Sequence, residues 1–518
     1  MVAAGIALSR IAGLIRQSIF AHFFGNSAAA DAFTAAFRIP NILQQLFGEG
    51  VLSASFIPVY SKMLSVGDET LASRLAWAVG AILAALTSVL VAIGVAITPW
   101  LIAAIAPGFH GDKRELTITL VRILFPGTGL LVMSAWCLGV LNSHHRFFAS
   151  YAAPVAWNAV IIAALLMYGG HRGQHNLAIT VAWGAVIGAG LQLAVQLPQT
   201  IALVKALRID FRRLADPLRM VLNNFVPVVT GRGVVQISGY VDNLLASLLP
   251  TGAVAALNYA QLIYMLPVSL FGMAVAAAEL PAMSQARGTS AEVASILRDR
   301  LDSGLRQIAF LVIPAVAAFV MLGDVIAGAL FQSGQFTAAD ARYVWAILAG
   351  AGIGLIATTM GRLYTSAFYS ILDTRTPLVF SLVDVTLTLV LGYLFAFPLP
   401  RLLGIEQRWG AVGLTASAGL SGWLEFSLLR SNLNRRIGST GVDFSYLAKL
   451  WTIAAGAAIG GFAIKEALPV ANPRLLGLAV LPTFGLSYLA LAWWIGVPEL
   501  DRLARRVRDR VSDRRGRR

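Results

Sequence analysis

The chain has little of what a redox or metal enzyme is built from. Of its 518 residues one is cysteine, Cys137, and six are histidine. That excludes a disulfide framework, a cysteine zinc site and an iron–sulfur cluster, and leaves little material for another metal centre. Charge is scarce as well: 13% of residues are Asp, Glu, Lys or Arg, against 58% hydrophobic. The mean hydropathy of +0.74 is that of a membrane protein, not of a string of soluble domains. No G-x-x-x-x-G-K-[ST] run is present, so no ATP-binding loop of that kind supplies energy. The longest hydrophilic stretch, residues 285–304, is too short for a soluble core.

What the sequence does have is long apolar runs. A bilayer core of ~30 Å takes ~20 apolar residues per helix, and fourteen such runs can be read: 5–25, 31–61, 74–106, 115–141, 150–169, 177–204, 219–249, 253–284, 305–331, 342–370, 376–398, 409–430, 445–465 and 475–497. The second and third runs each either continue unbroken or break, at Pro40 and at Pro99. The fold class is therefore an all-α polytopic membrane protein with about 14 transmembrane helices. Arg10 and Arg16 interrupt the first run and no A-x-A-like site follows it, so it is expected to stay as a helix and not to be cleaved as a signal peptide.

An even number of crossings puts both termini on one side. Of the 40 Lys and Arg, 26 fall on that side, 8 fall on the other and 6 lie within the helices. The positive-inside rule makes the richer side the cytoplasm. The arginine-rich tail 501–518 is expected to meet anionic lipid headgroups, not nucleic acid.

The two halves carry a repeat. Gly25 to Pro40, with Asp31 between them, has the spacing of Gly252 to Pro267, with Asn258 between. Leu46-Phe47-Gly48 before Pro58 resembles Leu270-Phe271-Gly272 before Pro281, and Asn142-Ser143 before Pro154 echoes Tyr369-Ser370 before Pro377. The expected division is two six-helix lobes around a central cavity, residues 1–205 and 206–437, then two extra helices within 438–500 and the tail 501–518. Repeated lobes around a site at mid-membrane are the architecture of alternating-access transporters.

Six arginines sit inside apolar runs: Arg10, Arg16, Arg38, Arg122, Arg232 and Arg362. At ~2.5–3.5 kcal/mol each near a helix centre, six facing lipid would cost roughly 15–20 kcal/mol, more than a typical net stability of ~5–15 kcal/mol. Arg10 and Arg16 share one arc of the first helix with Ser9, Gly13 and Gln17, and Asp31, Arg38, Asn41 and Gln45 share a face of the second. Forked guanidinium donors on an inward face suit a diphosphate or a carboxylate. The competing reading of Asp31 and Arg38 is an ion pair two turns apart that only locks the bundle, and Arg122, near a helix start, is expected to snorkel. In the second half Asp242 and Asp384, with Thr388 one turn beyond, offer oxygens suited to Na⁺ or a proton; a neutral aspartate bonded to a neighbouring helix is the alternative.

The motifs Ser9-Arg10-Ile-Ala-Gly-Leu-Ile-Arg16, Ala30-Asp31-Ala-Phe-Thr-Ala-Ala-Phe-Arg38-Ile-Pro40-Asn41 and Phe47-Gly48-Glu49-Gly50-Val-Leu-Ser-Ala-Ser-Phe56-Ile-Pro58 resemble those of the MurJ (MviN) family of lipid II flippases, in the multidrug/oligosaccharidyl-lipid/polysaccharide exporter superfamily. Weaker similarity at Pro107-Gly108-Phe109, Phe331-Gln332 and Thr376-Pro377 extends it over nearly the whole chain. The resemblance implies a lipid II flippase of the bacterial inner membrane. It would move the undecaprenyl-diphosphate-linked disaccharide pentapeptide to the outer leaflet for peptidoglycan synthesis, with the last two helices grooved for the lipid tail. It assigns substrate contacts to Arg10, Arg16, Asp31 and Glu49, places Arg362 where some members carry a cavity lysine, and allows a sodium ion in the second lobe. Gln17, Gln44, Gln45 and Leu262 depart from charged residues common in the family, and Arg232 stands one helix before Leu262 as a substitute cation.

The expected partners are thus lipid II and membrane lipids, with peptidoglycan-synthesis enzymes as further candidates. No organic cofactor is expected, and Na⁺, a proton or the membrane potential is the expected energy source. Three alternatives stay open: an exporter of another lipid-linked oligosaccharide or a drug, a lipid-modifying membrane enzyme, and a scaffold that no longer transports. For the enzyme, the histidines 144, 145, 171 and 175 all fall in short loops, where solvated side chains are the simpler reading.

Overall fold

A computed structural model describes residues 2–204, 215–468 and 472–500; the basic tail lies outside them. Among the described residues the chain is helical, with one isolated bridge, Ser333 to Phe336, in place of any strand. In chain order the helices are α1 (Val2–Phe24), α2 (Ala28–Phe47), α3 (Glu49–Ser65), α4 (Glu69–Ala96), α5 (Thr98–Ile105), α6 (Gly111–Ser143), α7 (Phe147–Tyr168), α8 (Gln174–Leu203), α9 (Ala215–Ser247), α10 (Ala253–Pro267), α11 (Ala274–Ser284), α12 (Ser290–Met321), α13 (Gly323–Phe331), α14 (Ala338–Ser370), α15 (Arg375–Ala396), α16 (Pro398–Leu402), α17 (Gly410–Ile437), α18 (Phe444–Ala467) and α19 (Pro473–Trp494).

All fourteen expected runs fall on helices. Among the described residues ten helical stretches are both long and apolar enough to cross a membrane, which makes this a multi-pass membrane protein. The other four expected crossings, α1, α7, α9 and α17, are helices of 23, 22, 33 and 28 residues, each long enough to span.

The breaks follow local chemistry. The run 31–61 divides at Gly48 and not at Pro40: Pro40 is buried inside α2, a position that membrane helices tolerate when neighbours cover the freed carbonyl. A Cβ at Gly48 would collide with the Gln44 carbonyl oxygen, so only glycine lets the chain turn there. The run 74–106 divides at Ile97, with Pro99 in the first turn of α5, where its missing N–H costs nothing. After Pro267 the backbone widens into a π-helical stretch, Val268–Met273, before α11.

The chain forms two compact units, Met1–Ala255 with Ser333–Phe336, and Ala256–Gln332 with Thr337–Arg518. In the first, α3, α4 and α6 bury Phe56, Tyr60, Leu75, Val79 and Trp136, joined by Val204 after α8 and Val221 of α9. Trp136 donates its Nε1 proton to the Ala76 carbonyl at 3.0 Å and lies over Gly80, where a Cβ would come within 2.8 Å of the ring. The helix α9, which the repeat assigns to the opening of the second lobe, packs in this unit against α2, α3, α4 and α5.

In the second unit α14 is the central helix and meets α17 along small residues. A Cβ on Gly354 would strike the backbone of Gly419, and one on Gly350 would come within 2.6 Å of the Thr415 hydroxyl. Thr415 donates to the Ile347 carbonyl at 2.8 Å and Trp423 to the Ile353 carbonyl at 2.8 Å. Small residues four apart let membrane helices approach closely enough for such bonds. The two last helices pack here as well: Tyr488 of α19 donates to the Phe310 carbonyl of α12 at 2.7 Å, and Lys465 of α18 pairs with Asp324 of α13 at 2.7 Å.

The repeat shows in the turns. Gly25 (φ 56°) precedes α2 and Gly252 (φ 96°) precedes α10, while His145 (φ 57°) precedes α7 and Leu372 (φ 62°) precedes α15. Both pairs have the same separation in sequence as Asp31 from Asn258 and Pro40 from Pro267. His145 and Leu372 are non-glycine residues held in a left-handed conformation that their side chains disfavour.

Candidate functional site

The site in the first unit is built on α1, α2 and α7. One face of α1 carries Arg16, which is half-buried. Its guanidinium carbon lies 5.0 Å from the ring centre of Trp157 on α7 and 5.8 Å from that of Phe37 on α2. The two rings are 5.8 Å apart and tilted by 33°. Among the described residues no carboxylate pairs with Arg16 and no acceptor takes its N–H groups. Arg10, nearly two turns earlier on α1, is exposed, as are Leu8, Ile11 and Ile15.

Phe37 and Trp157 also line a small pocket with Pro40, Asn41 and Gln44 of α2, Leu124, Gly127, Thr128 and Leu131 of α6, and Ala185 and Val186 of α8. Its volume of about 20 Å³ holds a water molecule or a group of that size. The wall is aromatic and aliphatic, with two amides and one hydroxyl as its polar groups.

Asp31 is fully buried at the start of α2. One oxygen accepts the ammonium of Lys113 at 2.5 Å and the backbone N–H of Gly252 at 2.7 Å, and the other accepts the N–H of Ala255 at 2.8 Å. Lys113 also lies 4.1 Å from the ring centre of Phe109. The carboxylate thus joins the first turns of α2 and α6 to the 250–255 turn. This corrects the reading in which Asp31 pairs with Arg38 two turns along its own helix: the partner is Lys113, and three donors at 2.5–2.8 Å hold the carboxylate.

Arg38 is held from α9. Its carbonyl accepts the Tyr240 hydroxyl at 2.9 Å, and its guanidinium feels the charge of Asp242. Glu49 opens α3 and Arg232 lies within α9, but their side chains fall outside the described residues. Arg122 is exposed and is the twelfth residue of α6, not a residue of its first turns.

In the second unit Arg362 of α14 is half-buried, with its Nε buried and without a hydrogen-bond partner among the described residues. Its charge and that of Asp384 on α15 both reach Tyr264 of α10, which donates to Thr358 at 3.2 Å. Thr388 is buried one turn beyond Asp384. Ser381, one turn before Asp384, donates to Glu425 of α17 at 2.6 Å. Among the described residues no three His, Cys, Asp or Glu side chains gather as a metal centre needs.

Sequence reasoning missed Lys113 and Trp157. Lys113 falls between the apolar runs 74–106 and 115–141, and nothing in a lone tryptophan on an apolar helix marks it as the seat of a cation 141 residues earlier.

A family model described as "Lipid II flippase MurJ" matches residues 20–469. The chain belongs to the MurJ lipid II flippase family. Among relatives of known sequence, it is 32% identical to the probable lipid II flippase MurJ of Rhizobium meliloti over 97% of this chain and 94% of that one. It is also 32% identical to the lipid II flippase MurJ of Burkholderia cenocepacia over 83% of this chain and 82% of that one. Its fold is similar to that of a lipid II flippase MurJ solved in an inward closed conformation, with TM-score 0.74 at 21% identity, covering 95% of this chain and 97% of the other. An inward-facing MATE transporter of the MOP superfamily gives TM-score 0.66 at 16% identity, covering 84% and 100%. The likeness to both is one of fold: an all-helical fold of the MurJ and MATE kind.

Proposed function

We propose that this chain carries lipid II across the bacterial inner membrane, with both termini in the cytoplasm, by alternating access of its two lobes. The observation that carries this reading is Arg16: a guanidinium on α1, a helix of 23 residues, held by aromatic faces and unmatched by any carboxylate among the described residues. A cation placed so at a cost of ~2.5–3.5 kcal/mol is suited to an anion that arrives from outside the protein. The diphosphate of an undecaprenyl-linked precursor is such an anion, and forked N–H donors replace the water it loses. The C55 tail stays in lipid while the headgroup crosses.

Arg10, Arg38, Glu49, Arg232 and Arg362 are proposed as further contacts to the headgroup, and Asp31 as the clamp that keeps the α2 face in place. Asp242, and Asp384 with Thr388, present hard oxygen donors of the kind that Na⁺ takes. A charge moved through the membrane potential gains ~2.3 kcal/mol per 100 mV; an ion at these residues, or the potential itself, is the proposed drive. Membership of a lipid II flippase family supports a transporter over a lipid-modifying enzyme, and peptidoglycan-synthesis enzymes are its proposed partners.

Complementation of a bacterium depleted of its own lipid II flippase tests this. The wild-type chain is expected to restore growth and cell shape. A chain that inserts into the membrane normally yet fails to rescue overturns the proposal.

A further inference from the structure

We infer that Trp157 is the positioning residue for Arg16: its ring, with Phe37, fixes the direction in which the guanidinium presents its donors. The inference rests on the reading of Arg16 as the diphosphate contact. Arginine has several rotatable bonds, and Arg16 makes no hydrogen bond or ion pair among the described residues that would choose one rotamer. Its position is set by the two rings.

Trp157 is itself immobilised. Its Nε1 proton goes to the Ala185 carbonyl of α8 at 3.0 Å. Gly188, one turn further along α8, leaves the room the indole occupies: a Cβ there would lie 2.8 Å from Cδ1 of Trp157 and 3.0 Å from its carbonyl oxygen. Phe37 closes the other side at 5.8 Å between ring centres. The cradle is thus tied to α2, α7 and α8 and touches the pocket wall shared with Asn41 and Gln44.

The choice of aromatic faces over a carboxylate has a chemical consequence. An acid would occupy the same N–H groups that a diphosphate needs and cancel the charge that attracts it. A ring face attracts the cation through its quadrupole and leaves the in-plane N–H fork available for two phosphate oxygens. Trp157 therefore orders Arg16 before the lipid arrives, so less side-chain freedom is lost on binding.

The test is a double-mutant cycle on the purified full-length protein in detergent, with undecaprenyl diphosphate as the probe. Trp157→Leu is expected to weaken binding about 5- to 30-fold, the range of a desolvated cation–π contact, and Trp157→Phe, which keeps a ring face, to restore most of the loss. In the Arg16→Ala background Trp157→Leu is expected to change the affinity no further. Equal losses in both backgrounds make Trp157 a packing residue and overturn the inference while leaving Arg16 in place. An Arg16→Ala protein that binds the lipid as well as wild type overturns the reading of Arg16 and this inference together. If Trp157→Leu does not fold, Gly188→Ala, which crowds the indole, and Phe37→Leu run the same cycle with the same expected loss and the same non-additivity.

Discussion

Lys113 reaches from the first turn of α6 to Asp31 at the first turn of α2 and closes an ion pair of 2.5 Å against a fully buried carboxylate. Two backbone N–H groups, from Gly252 and Ala255, complete the coordination. A carboxylate taken out of water keeps its charge at tolerable cost only when its lone pairs are filled in this way. Asp31, read from sequence as a headgroup contact, is thus held within the protein on both of its oxygens.

Removing one partner of such a pair leaves the other buried and uncompensated, a loss of about 3–5 kcal/mol. Asp31→Ala and Lys113→Met are each expected to lower the Tm of the purified protein substantially, and the double variant by less than the sum of the two. Thermal unfolding in detergent checks this. A Lys113→Met protein as stable as wild type contradicts the clamp.

His144 caps α6, and its Nε2 lies 2.9 Å from the Tyr60 hydroxyl. Burial holds its pKa below the ordinary 6.5, with the charges of His145 and Arg146 acting in the same direction and Glu69 opposing them. The unfolded chain therefore takes up a proton at a higher pH than the folded one. The contribution of neutral His144 is complete above pH 6.5 and is lost as the pH falls below it. Wild-type Tm is expected to drop between pH 7.5 and 5.5, with a shallower slope in His144→Gln. Identical slopes would falsify the assignment.

Gly354 touches Gly419 where α14 crosses α17. A leucine at 354 would force these backbones apart, and overpacking of this kind costs about 1–3 kcal/mol or more. Gly354→Leu is expected to lower the yield of folded protein and its Tm, while Gly361→Ala, where a Cβ meets nothing within 4 Å, is expected to be neutral. Both can be read by size-exclusion profile and melting.

Helix positions were legible in sequence because the bilayer sets their length and composition, and the repeat was legible because turns conserve spacing: Gly25 and Gly252, His145 and Leu372, and Pro40 and Pro267 share one offset. The break of 31–61 is not at Pro40 because a proline inside a membrane helix is tolerated, whereas Gly48 marks a backbone contact that has no signature in hydropathy. Arg16 was visible as a charge in an apolar run. What holds it was not, since Phe37 and Trp157 are ordinary residues for a membrane helix and their meeting with Arg16 is set by tertiary packing. Lys113 lies just outside the apolar run 115–141, where a cation carries no signal, and its partner is 82 residues away.

The most direct measurement is translocation of lipid II into proteoliposomes by the reconstituted chain, comparing wild type, Arg16→Ala and Arg122→Ala at equal protein content. Loss of charge-assisted bonds to the diphosphate, about 1.5–3 kcal/mol, is expected to slow Arg16→Ala by about 10- to 100-fold and to leave Arg122→Ala at the wild-type rate. Equal rates for all three, or no translocation by wild type, would contradict a diphosphate site at Arg16.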